Sequence, residues 1–212
     1  MSGVKNLIFL GSSCIYPKKT KQPIKESYFM TGPLEETNDA YSIAKIAGAK
    51  MCMEYSKQYK LNYRTLMPAN MFGSNDNYDL KSSHFFPALI KKIHLAKINN
   101  KKTVTLWGNG KPKRELLYVE DFADACVFFM KKRTKENFIN IGSGLEKTIE
   151  DFAKYVMKKL NVNLKIKYDL GKPNGMLRKK LDLTIANKYG WKAKTKLDES
   201  FKKVYLEYLK LK

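Results

Sequence analysis

Asn6-Leu7-Ile8-Phe9-Leu10-Gly11-Ser12-Ser13 is an apolar run that stops on small polar residues. Four consecutive apolar side chains, at 7–10, leave no polar face for water. A strand of that kind is covered on both sides and belongs in the middle of a parallel sheet. The carboxyl end of such a strand is where open α/β sheets hold their ligands. A central strand also needs a neighbour on each side, and no earlier strand precedes this one. The reading therefore expects further sequence ahead of Met1.

Outward from this run, strand-like and helix-like patterns alternate, which marks an α/β chain. The periodicity predicts a helix over 41–59 with Asn38 or Asp39 as N-cap, packing through Ala44, Gly48, Met51 and Tyr55. A strand follows at 63–67, closed by Pro68, and then a polar loop at 69–83. Helices are expected at 85–97, 121–132 and 197–209, with a further helix capped by Thr148 and reaching 160. Strands are expected at 104–107, 116–119, 138–141 and 165–168, and loops at 108–114 and 169–180.

Composition narrows the function classes. Of 212 residues 43% are hydrophobic, yet no apolar stretch approaches the ~20 residues that a membrane helix needs. Neither a membrane partner nor a secretory leader is expected. The three cysteines, Cys14, Cys52 and Cys126, are scattered, so no disulfide framework and no metal site is expected, and a reduced, cytoplasmic setting fits best. A formal charge of +21 raises nucleic acid as a partner. Against it, only four of the 41 basic residues are arginine, and the lysines are spread along the chain without a stripe or tail. The expectation is no nucleic-acid partner, with a basic polyanion-binding module kept as an alternative. A positive field would also draw in a pyrophosphate-bearing substrate.

Tyr41-Ser42-Ile43-Ala44-Lys45 places a phenol and an ammonium four residues apart on one helix face. A phenol titrates near ~10, and a neighbouring cation favours its ionised form. Such a tyrosine can exchange a proton with a carbonyl or carbinol oxygen. A serine at the end of the first strand, Ser12, can hydrogen-bond the same oxygen. Arg114 and Arg178, two of the four arginines (with Arg64 and Arg133), fall in loops where a pyrophosphate would meet a planar fork.

A strand ending in small polar residues followed by a Tyr-Lys helix resembles the short-chain dehydrogenases/reductases. The resemblance narrows over Gly11-Ser12-Ser13-Cys14-Ile15-Tyr16-Pro17, Pro68-Ala69-Asn70-Met71-Phe72-Gly73, Asp76-Asn77, Ser83-His84 before Pro87-Ala88-Leu89, Trp107-Gly108, Arg114-Glu115, Lys172-Pro173, Gly175 and Arg178-Lys179. In that order these are similar to the motifs of the GDP-L-fucose synthases, over nearly the whole chain. Another nucleotide-sugar epimerase or dehydratase would share Tyr41, Lys45 and the Arg114 region, so it stays as the nearer alternative.

The resemblance implies NADPH-dependent 3,5-epimerisation and 4-reduction of a GDP-linked 4-keto-6-deoxy sugar. By resemblance Tyr41 is the proton donor, Lys45 its partner, Ser12 the residue that orients the keto oxygen, and Cys14 and His84 the epimerising acid/base pair. Cofactor contacts to NADP(H) would come from Leu10, Gly11, Ser12, Ser13, Lys45, Pro68, Ala69, Asn70, Met71 and His84. Substrate contacts would involve Lys92, Trp107, Arg114, Asn174 and Arg178. Lys92 stands where the family usually has Arg, and Asn174 where it usually has Asp. The fold implied is the C-terminal part of a Rossmann-type doubly wound parallel sheet plus a smaller α/β lobe, without the first strands and Gly-rich loop. Residues 1–72 and 116–142 would form the NADP-binding part, and 73–115 and 143–212 the sugar-nucleotide lobe. A homodimer is implied for the complete enzyme; the missing half is expected either from another polypeptide or from sequence encoded upstream, and the isolated chain is expected to bind NADPH poorly and turn over little.

Overall fold

The computed structural model describes residues 3–172 and 174–211; Pro173, one of the motif residues above, lies outside them. In chain order the elements are β1 (Asn6–Leu10), α1 (Asp39–Tyr59), β2 (Asn62–Pro68), β3 (Asn70–Phe72), α2 (Phe85–Ile98), β4 (Thr103–Trp107), β5 (Lys113–Tyr118) and α3 (Val119–Lys131). They continue with β6 (Phe138–Ile141), β7 (Glu146–Thr148), α4 (Ile149–Lys159), β8 (Lys165–Asp169), β9 (Arg178–Lys179), α5 (Thr184–Lys188) and α6 (Leu197–Lys210). The chain divides into two units. The first comprises Met1–Met71, Glu115–Leu145 and Lys179–Thr195, and the second Phe72–Arg114, Glu146–Arg178 and Lys196–Lys212.

The first unit is built on a parallel sheet in the order β1-β2-β6. Leu7 pairs with Tyr63, and Thr65 with Phe138. The ladder runs past the strand ends: Gly11 donates its N–H to Leu66 O at 2.9 Å, and Ala69 to Ile141 O at 2.9 Å. Among the described residues β2 has a neighbour on each side, β1 and β6, and β1 has one, as implied by the reading that expects further sequence ahead of Met1. Residues 64–68 of β2 and all of β6 are buried, whereas β1 is only half-buried and Leu10 is 48% exposed. The four-residue apolar run that predicted a central strand therefore lies at an edge among the described residues. Ile8 and Leu10, with Val119, Phe122, Cys126, Val127 and Met130 of α3, border an open apolar concavity there.

Helix α1 packs only in part through the face its hydropathy predicted: Gly48 lies against Phe9 of β1 and Tyr55 stacks on Tyr63. Ala44, Met51 and Tyr55 are exposed, and the buried positions are Ser42, Ala49, Cys52 and Ser56. Two of these are serines, which a hydropathy reading assigns to water. Each is buried because its hydroxyl meets main chain. Ser56 Oγ lies 3.0 Å from Tyr63 O and accepts from Tyr63 N at 3.1 Å, fastening the helix to β2. Asp39 Oδ1 accepts from Ala40 N at the start of the helix, and Lys60, at φ 55°, ends it in the left-handed conformation.

The segment 179–195 belongs with the parallel sheet, although the sequence reading put it in the sugar-nucleotide lobe. Ile24 donates to Lys180 O at 2.7 Å, and Asp182 donates to Ile24 O at 2.8 Å. Leu181 donates to Glu115 Oε2 at 2.9 Å. Trp191 is 3% exposed in the core and donates its indole N–H to Asp124.

In the second unit β4 pairs in parallel with β8, α2 packs on β4 and on α4, and Phe201 of α6 lies against Phe86 of α2 and Tyr155 of α4. Its core is aromatic: Phe86 makes edge contacts with Phe72, Phe152 and Phe201. His94, read as an ordinary helix residue, is buried and bonds Tyr205 at 2.8 Å. Thr148 accepts from Asp151 N at 2.9 Å, the expected cap of α4.

Gly48 gives a test of this packing. A Cβ placed there would meet the Phe9 ring at 2.3 Å. Gly→Ala in a helix interior normally stabilises by about 1 kcal/mol. Here Gly48→Ala is expected to destabilise by on the order of 1–3 kcal/mol, because β1 and α1 must part to admit the methyl. A urea midpoint lowered relative to the wild type checks the sign.

Candidate active site

The first group of candidate residues gathers where β1 ends. Ser12 caps a 3₁₀ turn, Ser13–Ile15, by accepting from Cys14 N at 3.1 Å. That turn brings the Cys14 thiol back beside the strand. Ser42, wholly buried in the first turn of α1, has its hydroxyl 3.0 Å from Cys14 O and 2.8 Å from Asn38 O. This hydroxyl fastens the turn that carries Ser12 and Cys14 to the helix that carries Tyr41 and Lys45. Lys45 Nζ donates to Leu10 O at 2.8 Å and sits 5.7 Å from the Tyr41 ring centre. The Tyr41 side chain is 47% exposed, open to a ligand.

Cys14 has a polarised surrounding. Burial would push its thiol up, but the Lys179 ammonium, with hydrogen bonds from Ser12, Lys179 and Asn38, outweighs burial and holds it below the ordinary thiol value. Lys179 Nζ is 3.1 Å from Cys14 Sγ. Cys52 and Cys126 differ, both raised by burial alone. Among the expected cofactor contacts, Ser13, Pro68 and Ala69 are buried, Leu10 is exposed, and Asn70 and Met71 are half-buried. Asn70 Nδ2 donates to Glu115 O at 3.2 Å.

The second group lies in the second unit, around a cavity of about 190 Å³. Its floor is apolar, with Leu89, Leu106 and Ile149, and its polar wall is Ser83, Lys92, Trp107, Arg114 and Asn174. Trp107 is 49% exposed. Two ammonium groups lie over its ring, Lys92 at 5.3 Å and Lys172 at 5.6 Å. Burial lowers the Lys92 pKa, partly offset by Asp169, while its Nζ donates to Thr105 O at 3.1 Å. Arg114 pins the loop that carries Asn174 by donating to Met176 O at 2.6 Å. Asn174 Oδ1 accepts from Asn109 N at 2.9 Å and fills the space where a side chain at Gly108 would go. Arg178, expected at a pyrophosphate, is held by both carboxylate oxygens of Glu146 at 2.8 Å and does not line this cavity.

His84 stands in the second unit as the residue before α2, exposed, with its carbonyl accepting from Ala88 N at 3.1 Å. Burial raises the Asp76 pKa, and backbone hydrogen bonds and the nearby His84 offset only part of that. The loop leading to His84 is knotted by Asp79, whose Oδ1 accepts from Lys81 N, Ser82 N and Ser82 Oγ. Four participants escaped the sequence reading in these roles: Asn38, Ser42, Lys172 and Lys179. The two lysines stand in motifs quoted for the resemblance, but no local pattern points to the thiol or the indole they meet. Ser42 sits inside the Tyr-Lys motif, and its place on the buried face of α1 is the one local hint.

With this geometry in place, the comparisons with known proteins decide the family. The model of the "NAD dependent epimerase/dehydratase family" matches residues 1–142. The chain belongs to that family. Within it, the chain is 46% identical over 207 residues to the putative GDP-L-fucose synthase 2 of Arabidopsis thaliana, covering 98% of this chain and 63% of that protein. It is 47% identical over 208 residues to the GDP-L-fucose synthase of Sinorhizobium fredii, covering 98% and 66%. A solved GDP-L-fucose synthetase from Naegleria fowleri bound to NADP superposes with a TM-score of 0.89 at 25% identity, over 98% of this chain and 67% of that one. The chain thus spans a little under two thirds of the length of the first two relatives. Among epimerase/dehydratase family members, the elements matched here include the sheet β1-β2-β6 and the Tyr-Lys helix.

The Ser42 tether is testable by itself. Ser42→Ala removes the buried hydroxyl that lies between the Cys14 and Asn38 carbonyls. A loss of about 1–2 kcal/mol is expected. Chemical denaturation measures it, and an unchanged midpoint would show that the hydroxyl does not carry the junction.

Proposed function

We propose that this chain carries the catalytic and sugar-nucleotide-binding residues of a GDP-L-fucose synthase, an NADP-dependent enzyme that epimerises C3 and C5 of GDP-4-keto-6-deoxy-D-mannose and reduces C4. The observation that supports this most is the tethered group at the end of β1: hydroxyl, thiol, phenol and ammonium on one turn and the helix packed against it. The names of the relatives point the same way.

The donor set fits the nicotinamide end of a dinucleotide, since Lys45 is fixed on Leu10 O beside an open phenol and offers an ammonium for a ribose hydroxyl. NADPH, when bound, supplies the hydride for C4. Tyr41 donates a proton to the C4 oxygen as negative charge develops on it, with the Lys45 ammonium beside the phenol. Ser12 orients that oxygen. Epimerisation uses the acidity of carbons beside a ketone. Cys14 removes a proton and His84 delivers one to the opposite face, a thiol and an imidazole being the side chains whose ordinary values lie nearest neutrality. In the second unit, Trp107 with its two lysines suits a guanine ring, and Lys92 and Arg114 suit the diphosphate.

The same reading takes the enzyme as a cytoplasmic homodimer that uses α1, whose Ile43, Met51 and Tyr55 are exposed, with the dinucleotide pyrophosphate held by a Gly-rich turn outside these residues.

Two measurements test this. GDP should quench the fluorescence of Trp107, the exposed one of the chain's two tryptophans, and Trp107→Phe should remove that response. The epimerisation needs no hydride, so GDP-4-keto-6-deoxy-D-mannose in D₂O without NADPH should take up deuterium at C3 and C5. Cys14→Ser should slow that uptake about a hundredfold or more. A chain that neither binds GDP nor catalyses exchange is not this enzyme.

A further inference from the structure

Lys179 is 9% exposed, and it is the one lysine among the buried polar residues described, in a chain whose other lysines largely face water. An ammonium withdrawn from water needs a partner. Its ammonium lies 3.1 Å from the sulfur of Cys14.

The backbone that presents Lys179 is held on both sides. Lys180 N donates to Gln22 Oε1 at 3.0 Å, Ile24 N donates to Lys180 O at 2.7 Å, and Leu181 N donates to Glu115 Oε2 at 2.9 Å. The sulfur is held by the Ser12-capped turn and the Ser42 tether. Neither partner drifts into this contact on a flexible loop.

We infer that Lys179 is a positioning residue for the epimerisation: its ammonium keeps Cys14 as the thiolate that removes the proton beside the ketone. This rests on the function proposed above and adds the group that makes its base competent near neutral pH. A thiolate is the reactive form of cysteine, and an adjacent lysine is one of the settings that favours it. In the step itself the S–H bond forms as the C–H bond breaks, and the electron pair passes into the enolate oxygen. No oxidant or reductant takes part. Lys179 keeps its protons throughout and loses only the charge opposite it.

The other ionisable groups on the elements around the thiol are engaged elsewhere. Lys45 Nζ is on Leu10 O, and the Tyr16 phenol is on Asn140 Oδ1. Glu26 accepts from Asn140 N, and Glu35 pairs with Lys18. Tyr41 shares the helix with Lys45 and is open to solvent. The charge that acts on Cys14 is that of Lys179, against the cost of burial and with hydrogen bonds from Ser12 and Asn38.

The test is the pH dependence of Cys14 alkylation by iodoacetamide, followed peptide by peptide by mass spectrometry in the folded chain, with Cys126 as internal reference. Cys14 of the wild type should titrate below the ordinary thiol value of ~8.5. Lys179→Met should move that titration up by about one unit or more, while Lys179→Arg, which keeps the charge, should leave it low. The acidic limb of deuterium exchange at C3 and C5 should move up with it. A wild-type Cys14 that titrates at or above the ordinary value overturns the inference, and needs no variant to do so. So does a folded Lys179→Met with an unchanged Cys14 titration, or a Lys179→Arg that behaves as Met does. A low Cys14 titration in a chain without any exchange would instead sink the functional proposal and leave the ion pair standing.

Discussion

A single buried hydroxyl, that of Ser42, joins the two pieces of structure on which the proposed chemistry depends. The parallel ladder between β1 and β2 fixes where the first strand ends, and the Gly11 N–H bond to Leu66 O carries that order one residue further. From there the chain turns through Ser12 and Cys14. Without a tie, the turn and the helix after it would be two elements that share a sheet. With Ser42 between Cys14 O and Asn38 O, the phenol and ammonium of one are held in register with the hydroxyl and thiol of the other. A neutral hydrogen bond contributes only about 1 kcal/mol, but this hydroxyl is itself buried and, among the described residues, has its acceptors only in these two carbonyls.

Three of the four arginines show how a rare residue is used where lysine is abundant. Arg64 is 1% exposed and clamps Phe129 O and the Thr134 hydroxyl, joining β2 to the end of α3. Arg114 holds the loop around Asn174, and Arg178 forms a two-point pair with Glu146. Each exploits the planar fork that an ammonium lacks. Of the two that the sequence reading set at a pyrophosphate, Arg114 lines the cavity, and Arg178 has its fork turned to a carboxylate.

Much of the architecture was legible because periodicity is a local signal. The helix at 85–98, the Thr148 cap, the strand at 138–141 and the Tyr-Lys spacing all follow from residues within a few positions of each other. What was not legible depends on distant partners. The strands β3, β7 and β9 are two or three residues long, too short for a pattern of alternation to show. The buried face of α1 carries serines whose acceptors come from another segment. Lys179 meets Cys14 across 165 positions, a separation at which no motif spacing can report.

The first unit is assembled from three separate stretches, the last of them Lys179–Thr195. During synthesis its sheet strands emerge early, but the segment that pairs with Ile24, supplies Lys179 and buries Trp191 leaves the ribosome near the end. Until then Cys14 has no ammonium beside it and the core lacks an indole. Contacts so far apart in sequence are slow to form. A ribosome that stalls short of residue 179 therefore releases a nascent chain whose thiol lacks its activating ammonium and whose core is open, a substrate for chaperones more than for sugar nucleotides.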